Sequence, residues 1–263
     1  MNLGGRTALV TGASGGLGHA IARALAERGA SLVLTARRAE VLESLAAETG
    51  GRAIACDLSD RDAVARLVED AGPVDVLVAN AGIPGSGPIG SFSVEEIDRA
   101  VEVNLRAPMI LARLLSDGMV ERGGGHIVFV SSLSGKASTA GSSVYGATKF
   151  GLRGFAMGLR EDLRPRGVGV STVFPGFIRD AGMFHDSGAK LPGYVGTKTP
   201  EDVAAAVIRA IERDRSEIDV APISLKVGTA IAGLAPEVAA IVQRKLGASE
   251  IANQFESGQR DKR

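Results

Sequence analysis

Thr7-Ala8-Leu9-Val10-Thr11-Gly12-Ala13-Ser14-Gly15-Gly16-Leu17-Gly18 is an apolar run that breaks into a glycine-rich turn, and the helical pattern Ala20 to Arg28 follows it. A strand, a glycine turn and a helix N-terminus in that order form an anion site. Backbone N–H groups approach a pyrophosphate closely there, and the helix dipole favours its negative charge. The spacing is T-G-x-x-x-G-x-G, not the G-x-G-x-x-G of the commonest dinucleotide fingerprint. Gly12, Ser14, Gly16, Leu17 and Gly18 are thus the first candidate cofactor-binding residues. A tight connection without a ligand is the competing reading, and the place of the turn on the first strand of a βαβ unit weighs against it.

Working outward, further short β-branched or aliphatic runs recur: Ser31 to Ala36, Arg52 to Cys56, Val74 to Ala79, His126 to Ser131 and Gly169 to Phe174. Helical patterns begin near Gly16, Ala39, Asp60, Val94, Ser143 and Pro200, and Ser93 with Glu96 makes a capping box. Apolar strands separated by helices predict a doubly wound parallel sheet of about seven strands, covered on both faces in three α/β/α layers. The seventh strand is expected at Glu217 to Val220. No repeat or linker divides residues 1 to 263, so one domain is expected, with 221 to 263 an atypical C-terminal extension. That extension is expected to hold a helix near Pro236 to Leu246 and a polar end from Glu256, with Gln259 to Arg263 a solvated tail.

Bulk properties narrow the function. Thirty basic and thirty acidic residues cancel, which argues against the broad positive field of a nucleic-acid binder. The single Cys56 excludes an internal disulfide framework and reads as a small buried hydrophobe. Met1 to Val10 carries Arg6 with no apolar stretch behind it, so a cytoplasmic protein is expected. The weakly charged stretch Val220 to Pro236 is too interrupted for a membrane span. His19, His126 and His185 form no ligand spacing with Cys56 or a carboxylate pair, so no metal site is expected.

Where the second strand ends, an acidic residue would accept hydrogen bonds from a ribose 2′-hydroxyl; here Ala36 is followed by Arg37 and Arg38. Planar guanidinium donors pair with phosphate oxygens, so the cofactor is expected to be NADP(H) in preference to NAD(H). A solvated basic helix start is the bland alternative.

Tyr145 and Lys149 stand four apart in a helical pattern and therefore share a face, with Ser132 thirteen residues upstream. A free phenol titrates near ~10, so a neighbouring ammonium is the expected means of lowering it. A lone helical tyrosine is usually just packed; the constellation is what gives it a chemical reading. With the glycine loop, Asn80-Ala81-Gly82, Ser132 and Tyr145-x-x-x-Lys149 in order over residues 5 to 220, the chain resembles the short-chain dehydrogenase/reductase family, whose fold is Rossmann-like.

The resemblance implies a catalytic set of Asn104, Ser132, Tyr145 and Lys149. Tyr145 would be the general acid in reduction and the base in oxidation, Lys149 would also hold the nicotinamide ribose, and Ser132 would hydrogen-bond the substrate oxygen. Ser131 and Ser132 alternate along a strand, so at most one faces the nicotinamide; Ser134 is weaker. Pro108 has no N–H to return to the Asn104 carbonyl, which predicts a kinked helix with that carbonyl free for water. The resemblance places Asp57 and Leu58 at the adenine and Asn80, Ala81 and Gly82 beside the cofactor. Asp57 also reads as a loop acid, and Asn80 as a bridge between strands. Pro175, Gly176 and Ile178 would meet the nicotinamide, while Asp180 stands where many relatives carry threonine and cannot donate as a hydroxyl does.

Ligands of open α/β sheets sit beyond the strand carboxyl ends. Leu133, Ala140, Phe177, Met183 and Phe184 are the candidate substrate pocket, with Leu191, Tyr194 and Val195 in the same apolar lid, Phe177 to Thr199. A ketone, aldehyde or secondary alcohol of middling size is the expected small-molecule partner. The alternatives are an NAD-dependent alcohol dehydrogenase and a non-catalytic dinucleotide-binding sensor or scaffold. A homodimer or homotetramer is implied by resemblance, with Ser224 to Leu246 covering an edge or shaping an interface.

Overall fold

The computed structural model describes residues 1–193, 195–238, 241 and 248–259, the side chains of 248–253 excepted. Its centre is a seven-stranded parallel sheet in the order β3-β2-β1-β4-β5-β6-β7. The strands are β1 Thr7–Thr11, β2 Ser31–Ala36, β3 Arg52–Ala55, β4 Val76–Ala79, β5 Gly125–Val130, β6 Val168–Pro175 and β7 Glu217–Val220. Strand alternation sorts their side chains into two cores. Ala8, Val10, Val76, Val78, Val128 and Val130 join one, whereas Leu9, Leu77, Ala79, Ile127 and Phe129 join the other.

Helices α1 Gly16–Glu27 and α2 Ala39–Thr49 cover the first face, together with the later helix Pro200–Arg213. The second face is closed by α3 Arg61–Ala71, α5 Ala107–Glu121 and α6 Ser143–Leu163, with α4 Val94–Val101 leading into α5. Their starts follow from local chemistry. Asp60 accepts from the N–H groups of Asp62 and Ala63, and the Ser93–Glu96 capping box is formed. The strand order reverses between β1 and β4, which opens a crevice at their carboxyl ends.

The expected kink ahead of Pro108 takes the form of a π turn, Glu102–Arg106, in which the Ala107 N–H reaches the Glu102 carbonyl. Widening the helix by one residue accommodates Pro108 at the start of α5, where it has no N–H to return to the preceding turn.

After β6 come α7 Gly182–Ser187 and α8 Pro200–Arg213, and after β7 comes α9 Ile223–Leu234. One side of α9 is bare, with Ile223, Val227, Ile231 and Leu234 at least half exposed. No described helix is long and apolar enough to cross a membrane. The expected helix at Pro236 to Leu246 falls mostly outside the described residues, as do Tyr194 and Arg260 to Arg263. The chain end corrects one expectation. Residues Ala248–Gln259 are helical and pack on α7, and Gln259 is only 2% exposed, so the solvated tail does not begin there. Its apolar partners lie some seventy residues earlier and offset the cost of ordering a polar segment.

Candidate active site

The crevice at the switch point is a cleft of about 830 Å³. Its floor is the glycine loop. Gly12 has φ 65°, and a methyl group there would stand 2.7 Å from the Ala81 Cα. On Gly18 a methyl would collide with the Gly12 carbonyl and lie 2.7 Å from the Ala13 Cα. Only glycine permits this close stacking of loop, helix start and the turn after β4. Asn80 holds that turn in place, donating to the Thr11 carbonyl at 3.0 Å and the Gly12 carbonyl at 3.2 Å, so it does bridge strands. Gly12, Ser14, Gly16, Leu17, Gly18, Asn80, Ala81 and Gly82 all line the cleft.

One end is basic. Arg37 and Arg38 are exposed at the exit of β2, and Arg38 donates to the Ser14 carbonyl at 2.9 Å. Asp57 and Leu58 line the same end with Cys56 and Arg99. Burial pushes the Asp57 carboxyl up, but two hydrogen bonds from Ser59 and the nearby Arg37 hold it below the ordinary range. Cys56 is buried and its thiol is pushed up to about 11, first by burial and then by Asp57, so it behaves as the small hydrophobe expected.

The other end gathers Ser132, Tyr145 and Lys149 with Pro175, Gly176 and Ile178. Lys149 is buried, its Nζ 5.5 Å from the centre of the Tyr145 ring and 3.3 Å from the Val130 carbonyl that accepts from it. Ser132 stands beside the Tyr145 phenol, whose titration it lowers, and its Oγ accepts from the Ser134 N–H at 3.1 Å. Ser131 points away and donates to the Lys149 carbonyl at 3.3 Å. Burial governs both titrations. The phenol is pushed up to about 12 although Ser132 lowers it, and the ammonium down to about 8. The expected lowering of the phenol by Lys149 does not figure among the causes at Tyr145, where burial comes first.

Asn104 does not line the cleft. It is 1% exposed and grips the main chain of Ile83, accepting from its N–H at 2.8 Å and donating to its carbonyl at 2.9 Å. Both ends of its amide are thus engaged behind Gly82.

Of the candidate substrate residues, Met183 and Phe184 line the cleft. Leu133 packs toward Gly176, Phe177 sits in a cluster with Phe184 and Phe255, and Ala140 is exposed outside the cleft. Asp180, with φ 71°, turns out to solvent beside Arg179, and its carboxylate stays off the cleft wall. Thr199 instead caps α8, and Thr197 accepts from Arg179. Sequence reasoning passed over Arg99, Ala181 and Gln259 on the cleft wall. Arg99 and Ala181 belong to ordinary-looking stretches, and no motif marks Gln259. Ala181 leans on Gly16, where an added methyl would collide with it. Among the described residues no cluster of three or more His, Cys, Asp or Glu offers a metal site.

Residues 6–192 match the family model described as short chain dehydrogenase. The chain belongs to the short-chain dehydrogenase/reductase family and is an oxidoreductase. It is 41% identical over 228 residues to the ketoacyl reductase HetN of Nostoc sp., covering 83% of this chain and 79% of that protein. Among solved structures, a short-chain dehydrogenase from Sphingobium yanoikuyae in complex with NADPH matches with a TM-score of 0.75 at 31% identity, over 88% of this chain and 96% of that one. The 3-ketoacyl-(acyl-carrier-protein) reductase of Brucella melitensis, complexed with NADH, matches with a TM-score of 0.73 at 28% identity, over 83% of this chain and 97% of that one.

Proposed function

We propose that this protein reduces a carbonyl compound with NADPH, Tyr145 serving as the proton donor. The observation that carries the reading is the meeting of the Tyr145 phenol, the Ser132 hydroxyl and the buried Lys149 ammonium in the cleft floored by the glycine loop. The cleft fits a dinucleotide in size, and its bare loop gives the close backbone approach a diphosphate needs. The reduced nicotinamide supplies, when bound, the hydride that goes to the carbonyl carbon. Tyr145 gives its proton to the carbonyl oxygen, while Ser132 donates a hydrogen bond to the same atom and offsets its developing charge.

A phenol pushed up to about 12 keeps its proton at pH 7, as a donor must, and an ammonium at about 8 is still charged there to balance the phenolate left behind. Asn104 acts at one remove, by holding Ile83 and the turn around Gly82 against the lysine. Its main-chain carbonyl is the atom left for a water on the way to Lys149. Arg37 and Arg38 select NADP(H) through the 2′-phosphate, since paired guanidinium groups gain most from a phosphate.

The names of the relatives make a β-ketoacyl thioester the first substrate to try. The decisive experiment follows NADPH consumption by the purified protein over a panel of ketones, aldehydes and β-ketoacyl thioesters, with Tyr145→Phe as control. NADPH binding without turnover of any member would instead favour a dinucleotide sensor, and equal rates with NADH would remove the cofactor preference.

A further inference from the structure

Gln259 ends the C-terminal helix and reaches the cleft from a polar stretch that has no other reason to be buried. Its Nε2 donates to the Met183 carbonyl at 2.8 Å, which fixes the orientation of the amide and leaves Oε1 over. Oε1 is shut off from solvent and has no hydrogen-bond partner among the described residues. An orphaned buried acceptor is costly, and an apolar side chain of the same shape would avoid that cost. The atom therefore calls for a donor that no described residue supplies.

Which donor is set by where Gln259 is tied. Met183, whose carbonyl it holds, brings its methyl carbon to 3.4 Å from the point where a Cβ on Gly82 would stand, and that point is 3.6 Å from the Lys149 Nζ. This is the hydride-transfer end of the cleft, away from Arg37, Arg38 and Asp57. A diphosphate brings only acceptors, and a carbonyl substrate has no donor on its reacting oxygen. Of the donors a nicotinamide dinucleotide brings to this end, the ribose hydroxyls are those the family resemblance gives to Lys149, which leaves the carboxamide with its NH2 group, present in both redox states. Asp180, turned out to solvent, does not present its carboxylate there.

We propose that Gln259 Oε1 accepts a hydrogen bond from the nicotinamide carboxamide, which makes the C-terminal helix a part of the cofactor site. The proposal rests on the cleft being a nicotinamide dinucleotide site. The helix is built to deliver the residue. Phe255 lies 6.2 Å from Phe177 and 5.9 Å from Phe184, ring centre to ring centre, and Gln254 accepts from the Lys190 N–H at 2.9 Å. Helix and α7 are thereby held together as one unit beside the cleft.

The test pairs a change in the protein with a change in the ligand. Affinities of NADPH and of its 3-acetylpyridine analogue, in which a methyl group replaces the amide NH2, are measured by calorimetry on the wild type, Gln259→Leu and the near-isosteric Gln259→Met. The wild type is expected to prefer NADPH about five- to tenfold, the worth of one hydrogen bond, and both variants to bring the two ligands within about twofold. Adenosine 2′,5′-bisphosphate, which has no nicotinamide, should bind all three proteins alike and shows that each is folded. A preference that survives in both variants, or that is missing from the wild type, overturns the role of Gln259. Failure of the wild type to bind either dinucleotide overturns the cofactor reading itself, and this inference with it.

Discussion

Strand β5 has buried polar groups at each end, and the two ends are treated oppositely. At its start, His126 is 2% exposed, and its Nε2 pairs with the Ser171 hydroxyl at 2.8 Å. At its exit, Ser132, Tyr145 and Lys149 share a cleft. Burial holds His126 neutral, bringing it down to about 4, and burial also drives Tyr145 up and Lys149 down. The same desolvation thus acts at both ends of the strand. What separates them is capacity: the histidine has its partner within the fold, whereas the cleft groups keep a proton and donors to give to something else.

The largest effect should come from the cleft. Tyr145→Phe removes the proton donor but keeps the ring, and turnover should fall by about 10²- to 10⁴-fold with NADPH affinity held. A loss of affinity to match, seen in binding titrations, would make the residue a wall of the site instead. Next, replacing Arg37 and Arg38 with Ala should weaken NADPH by roughly tenfold or more and barely touch NADH, because only NADPH carries the 2′-phosphate those charges meet. Equal losses in parallel titrations would contradict the phosphate role.

The pH profile separates the two titrating groups of the cleft. Lys149 loses its charge as pH rises through about 8, while Tyr145, at about 12, stays protonated. The rate of reduction should therefore be level below pH 8 and drop by about tenfold per unit above it, if the ammonium is required. Steady-state rates at saturating ligand from pH 6 to 10 would show this, and an alkaline limb that persists in Lys149→Met would assign it elsewhere.

The smallest effect belongs to the start of β5. His126→Gln should leave turnover unchanged and cost about 1 to 3 kcal/mol of stability, the penalty of disturbing one buried hydrogen-bonded pair. The sign of its pH dependence is fixed by linkage. The folded protein holds His126 neutral down to about pH 4, whereas the unfolded chain takes up a proton near ~6.5. Stability from this residue is complete above that value and is lost as pH falls toward 4. Melting curves of the wild type and the variant across that window should converge at low pH; parallel curves would mean that His126 is not the group responsible.

Much of this contrast was legible beforehand. The glycine loop, the two arginines after β2 and the Tyr145–Lys149 pair are each made of residues close in sequence, and local periodicity places each on its turn or helix. The seven strands and most helix starts followed for the same reason, since alternation and capping are properties of neighbouring residues. The kink near Asn104 was legible as a consequence of Pro108, but not its form as a π turn. The direction of the Tyr145 shift was misjudged, because sequence shows the neighbouring charge but not how far water is excluded. Gln259 was assigned to a solvated tail, and neither its burial nor its bond to Met183 left any trace in its own surroundings.

By itself, then, the sequence determined the doubly wound sheet, the anion-binding turn and the residues that face each other across one helical turn, because those depend on spacings of two to five residues. Only the tertiary structure decided the balance of burial and charge at Tyr145 and Lys149, the turning of Asp180 to solvent and the insertion of the chain end beside the lid. Each of these depends on what other, distant segments exclude or contribute, and desolvation is a property of the enclosed space.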